Sequence, residues 1–141
     1  MRDLNWLAKP EVHDYQAAAQ YLSLVLPPTE AHAVARRLQK SPIVEFKAKD
    51  ILRASRLEAL SSENRHVAGD LKKIEKHESL SPVLLVRGDA TSGTALIIAD
   101  GYHRVCAIAQ LNEDLPVRCQ IVSLKSLAPS SDDDTGQGQT N

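Results

Sequence analysis

Apolar residues recur at helical spacing through residues 13–25, HDYQAAAQYLSLV, a stretch rich in alanine and leucine. Asp14 suits the helix start, and Pro27 and Pro28 stop it. Thr29 is expected to cap a second helix running to about residue 39, which makes an αα-hairpin. Trp6 and Leu7 read as an apolar anchor for the chain start, with a partner surface as the alternative. The pattern then changes. Pro42 opens PIVEFK, whose Ile43, Val44 and Phe46 favour a strand. Residues 49–53 suit a short helix or turn. Residues 65–76, RHVAGDLKKIEK, carry Val67, Leu71 and Ile74 on one helical face behind the capping residue Asn64.

Two strands follow, VLLVR after Pro82 and ALIIA from Ala95, expected to pair antiparallel around the turn residues 88–94. Residues 102–111 form the next predicted helix, with Val105, Cys106, Ile108 and Ala109 able to cover a sheet. Val117, Cys119 and Ile121 alternate with Arg118, Gln120 and Val122 as a last strand. Four strands and several helices predict a mixed α/β or α+β fold. One domain is expected over residues 1–127, with a helical extension at about 1–41 and a disordered polar tail over 128–141.

Composition narrows the function classes. A chain of 141 residues can bury a core without metals or disulfides. Cys106 and Cys119 lie in apolar segments and read as reduced core thiols. No cationic leader with an apolar core is visible, and the apolar runs are too short for a bilayer, so a cytoplasmic protein without a membrane partner is expected. The net charge is -1, and turns slightly positive without the tail acids Asp132, Asp133 and Asp134. That balance disfavours a long polyanion and leaves a small phosphate ligand open. The five histidines lack zinc spacing, and no structural metal is expected.

The candidate chemistry concentrates where a strand runs into Asp100-Gly101-Tyr102-His103-Arg104. Glycine permits a sharp turn or a close approach, and a helix starting there points free amides at a common spot. Arg104 is the best phosphate ligand, because its planar fork can grip two oxygens. His103 could donate to phosphate or move a proton. Asp100 could act as a base, orient a hydroxyl or bind Mg²⁺, or else pair with Arg104. Tyr102 could stack on a base or pack.

Residues 43–122 resemble the ParB/sulfiredoxin superfamily. Sulfiredoxins carry Gly-Cys-His-Arg where this chain has Gly101-Tyr102-His103-Arg104, and related domains carry Asp-Gly-x-His-Arg. PVLLVRG upstream and DLPVRCQIV downstream fit the superfamily's order of elements. Tyr102 replaces the nucleophilic cysteine, so sulfiredoxin chemistry is not expected. The chain also lacks the helix-turn-helix and Arg-rich box of chromosome-partitioning ParB proteins.

The resemblance implies a small mixed sheet and a nucleotide or phosphate site at Gly101, Tyr102, His103 and Arg104. It adds Lys47, Lys49 and Asp50 after the first strand as further pocket candidates. His66, Gly69 and Lys73 stand where sulfiredoxins hold nucleotide, and Asp70 and Lys72 share their helix. The expected ligand is ATP, ADP or CTP with Mg²⁺, and the expected function a small-molecule phosphotransferase or nucleotide hydrolase, with Asp100, His103 and Asp50 as catalytic candidates. A non-catalytic module that binds a partner, or itself, through the N-terminal helices is one alternative. A nucleic-acid-binding protein or nuclease is the other.

Overall fold

The computed structural model describes residues 4–124. The tail expected over 128–141 lies outside them. The described elements run α1 (Val12–Leu22), α2 (Pro28–Gln39), β1 (Val44–Lys47), α3 (Ala48–Ser55), α4 (Arg65–Glu75), β2 (Val83–Val86), β3 (Ile97–Asp100), α5 (Tyr102–Leu111) and β4 (Pro116–Val122).

The strands form one sheet in the order β1-β4-β2-β3. β2 and β3 make the expected antiparallel hairpin, closed by a bridge between Asp89 and Thr94. β4 then returns through α5 to lie parallel to β2, and β1 pairs antiparallel with its other edge. A register shift between Leu84 and Leu85 interrupts the hairpin ladder and brings Asp100 opposite Leu84.

Both faces of the sheet are covered. One carries Val83, Leu85, Ile98, Val117 and Cys119 against Ile51, Val67, Ile74, Val105 and Ile108 of α3, α4 and α5. The other carries Leu84, Val86 and Ala99 against Tyr15, Ala18, Leu22, Val34 and Leu38 of α1 and α2. The result is a mixed α/β fold in which the N-terminal helical pair forms a full layer. β2 is buried along its whole length because it is central and covered twice.

Two local expectations shift by a residue or more. Asp14 is not the cap of α1. Glu11 is, and Asp14 reaches back from the first turn to accept the Glu11 N–H at 2.8 Å. Thr29 likewise lies inside α2, which opens on Pro28, a residue suited to the first turn because its missing N–H would be unpaired there anyway. Asn64 does cap α4, accepting from His66 N at 2.9 Å and Val67 N at 3.2 Å.

Gln120 shows why the N-terminal layer is fixed in place. It lies in β4 on the α1/α2 face and is 2 % exposed. Its Oε1 accepts from Tyr15 Oη at 2.6 Å and its Nε2 donates to the Ser41 carbonyl at 2.7 Å. A buried amide is tolerated only when both ends are paired, so these bonds lock α1 and the end of α2 onto the sheet. Trp6 packs against the opposite core and makes an isolated bridge to Leu80, as an anchor for the chain start. Cys106 and Cys119 are buried free thiols. Among the described residues, no helix is long and apolar enough to cross a membrane.

Candidate functional site

β3 ends at Asp100, and Gly101 turns the chain into α5 with φ +106°. Side chains other than glycine rarely adopt that backbone. The space is restricted too. A Cβ on Gly101 would lie 2.8 Å from Arg104 Nη2 and 2.8 Å from Val83 Cγ2. The missing side chain is therefore the place where the Arg104 guanidinium rests. It also leaves the first turn of α5 without a side-chain cap, so the positive end of the helix faces the same spot.

Arg104 Nη2 lies 3.4 Å from Asp100 Oδ2, and both side chains are largely shielded. Its Nε is buried without a hydrogen-bond partner among the described residues. The Asp14 carboxyl, carried on α1, is close enough to Asp100 to act on it. Burial pushes the Asp100 carboxyl up to about 6, Arg104 opposes the shift, and Asp14 adds to it as a neighbouring acid. Asp100 thus titrates close to neutrality, where a group can both take and return a proton.

The other wall is aromatic. The His103 and His66 rings are centred 4.7 Å apart, and Tyr102 lies 5.4 Å from His103. Burial and the nearby His66 lower the His103 pKa, with Asp70 opposing. His103 is therefore a neutral donor and acceptor at pH 7. Tyr102 Oη donates to the Glu58 carbonyl at 2.6 Å, and burial raises the phenol's pKa. One helical turn on, burial also raises the pKa of the Cys106 thiol.

Together His66, Asp70, Asp100, Gly101, Tyr102, His103 and Arg104 enclose a polar cavity of about 190 Å³. Four motif candidates, Gly101, Tyr102, His103 and Arg104, meet there with Asp100. His66 and Asp70 of α4 join them, while Lys47, Lys49, Asp50 and Lys73 lie elsewhere. Lys49 and Lys47 sit 3.0 and 3.8 Å from Asp114, and the pairing with Asp114 raises the Lys49 pKa while Lys49 lowers that of Asp114. The Lys49 N–H also binds the Glu113 carbonyl, which places the pair just past the far end of α5. Asp50 lines a separate cleft. Lys73 is exposed on α4 and does not line the polar cavity.

Asp14 is the residue that sequence reasoning did not connect with the site. In the sequence it carries only a helix-start signal, and the packing of α1 on the sheet is what brings it to Asp100. It also takes part in a correction. The expectation that the chain has no structural metal is overturned by Glu11, His13 and Asp14, whose ligand atoms all lie within 4.8 Å of one another and could hold a metal ion. Spacing along the sequence concealed the group because carboxylates flank a single histidine there, without the repeated histidines or cysteines of a zinc motif. His13 Nε2 lies 3.5 Å from Asp14 and 3.8 Å from Glu11.

Compared with known proteins, the chain matches no family model, no curated protein and no solved structure, so its chemistry is read from this geometry.

Proposed function

We infer that the start of α5 binds a small phosphate-bearing ligand, in a pocket of the ParB/sulfiredoxin type. One observation carries the reading: the Arg104 guanidinium lies folded onto Gly101, beside an uncapped helix start, with its Nε unpaired. A phosphate oxygen supplies the acceptor that this donor lacks, and the helix amides bind the rest of the anion. Asp70 and Asp100 keep the cavity from being strongly cationic. The ligand is therefore best accommodated when Asp100 is protonated, and binding takes up a proton.

The same geometry suits phosphoryl transfer to, or hydrolysis by, a hydroxyl group or water. The acceptor oxygen bonds to phosphorus while its proton passes to the neutral His103, and the leaving oxygen departs with the former bonding pair and takes the proton held by Asp100. Arg104 and the α5 amides neutralise the charge that develops. Tyr102 contributes shape, with its hydroxyl committed to Glu58.

Thermal unfolding with inorganic phosphate and with glycerol phosphate tests the reading. Saturable stabilisation is expected, reaching about 2.7 kcal/mol at one hundred times the dissociation constant. Arg104→Gln should abolish it. Wild-type protein indifferent to both compounds would overturn the proposal.

A further inference from the structure

A larger cavity lies at the other end of the β2–β3 hairpin. β2 begins beside Asp100 and ends at Val86, and Arg87 leads the chain into the turn back to β3. At that end α3, the turn and the sheet enclose about 450 Å³. None of the residues lining the polar cavity lines this cleft.

Its construction is amphipathic. The floor is apolar, with Ile51, Leu85, Leu96 and Ile121, and Phe46 stands half-exposed at one side. The rim carries Arg53, Arg56 and Arg87. Among the described residues, no carboxylate lies within 4.0 Å of any of the three. Arg56 is partly committed. It ends α3 in the left-handed conformation at φ 60°, and its Nη1 donates to the Gly93 carbonyl at 3.1 Å. That bond and the one from Leu96 N to the Ala54 carbonyl, at 3.0 Å, tie α3 to the turn and hold the cleft's wall. Arg53 and Arg87 are exposed side chains of the same rim.

Two acids share the rim, Asp50 and Asp89. Asp89 Oδ1 accepts from Thr91 N at 3.0 Å and Thr91 Oγ1 at 2.6 Å, so it shapes the turn. Asp50 lies in the first turn of α3, where a carboxylate complements the helix dipole. Among the described residues, three cations stand against two anions on the rim, which matches a singly charged head group better than a polyanion.

We propose that this cleft binds an organic carboxylate, with the apolar body on the Ile51–Leu85–Leu96–Ile121 floor and the carboxylate held by Arg53 and Arg87. Ligand cavities of this size are commonly apolar with a few polar groups that fix orientation, and a guanidinium matches a carboxylate in a paired geometry. The site does not depend on phosphate binding at α5.

Calorimetric titration of the full chain with 2-naphthoate tests it, with 2-naphthol as the neutral analogue and acetate as the head group without a body. One naphthoate per chain is expected, with naphthol and acetate at least tenfold weaker. Arg87→Gln and Arg53→Gln should each weaken naphthoate at least tenfold. Both residues are exposed, and an unchanged circular dichroism spectrum checks that the variants fold. Arg104→Gln should leave naphthoate binding intact, which separates this site from the phosphate pocket. The proposal is overturned if naphthoate does not saturate, if naphthol binds as well, if both rim variants bind like wild type, or if Arg104→Gln alone removes binding.

Discussion

The two cavities sit at opposite ends of one hairpin and are built by opposite means. The α5 pocket is about 190 Å³, polar, and made largely from five consecutive residues with two more from α4. The hairpin cleft is about 450 Å³, apolar at its floor, and gathered from β1, α3, β2, the turn before β3, and β4. The difference follows from what each end of a strand offers. A strand running into a helix presents amides and a dipole, so a short motif suffices to make an anion site. A strand running into a turn presents neither. Charge there must come from separate side chains, and the apolar floor from several elements.

Each site depends on a glycine, and substituting either one should have the largest effect. A Cβ on Gly88 would lie 2.5 to 2.7 Å from backbone atoms of Thr94, Ala95 and Leu96, so Gly88→Ala must open the turn. A Cβ on Gly101 would meet mainly side-chain atoms, but at a positive φ. Urea unfolding should show Gly88→Ala destabilised by about 3 kcal/mol and Gly101→Ala by about 2. Gly88→Ala should lose naphthoate and keep phosphate, and Gly101→Ala the reverse. Loss of both ligands in either variant would mean that the sites are not independent.

A change of pH should separate the sites less drastically. Asp100 is held at about 6, above its ordinary 3.8, so the folded chain favours its protonated form. Its ionisation therefore lowers stability as pH rises through that window, and a negative charge then faces the α5 pocket. Sulfate keeps its charge over this range and is the better probe. Its affinity should rise roughly tenfold between pH 8 and 5.5 as Asp100 takes up its proton. In Asp100→Asn the rise should be much smaller. A full rise in that variant would show that Asp100 is not its source.

The smallest expected effect concerns α4, which contributes His66 and Asp70 to the α5 pocket and no lining residue to the cleft. Asn64→Ala removes the acceptor for two α4 amides and should cost about 1 kcal/mol. Phosphate affinity should fall modestly and naphthoate affinity should not change, as parallel titrations would show.

How far the sequence reaches can be judged element by element. Periodicity located α4 and its Asn64 cap closely, because capping and an apolar stripe are local properties. The β2–β3 hairpin was legible for the same reason, in two β-rich runs around a turn-forming segment. The Asp100–Arg104 motif was legible as a turn and helix start. By itself the sequence determined these local conformations, the presence of a covered sheet and the one site that a contiguous segment can build. Tertiary packing decided the rest. It placed α1 and α2 as a layer over the sheet, through the Tyr15–Gln120–Ser41 bonds. It brought Asp14 to Asp100, took Lys47 and Lys49 to Asp114, and moved Asp50 into a different cavity. Those outcomes depend on which faces of distant segments meet, and neither local periodicity nor a short motif encodes that choice.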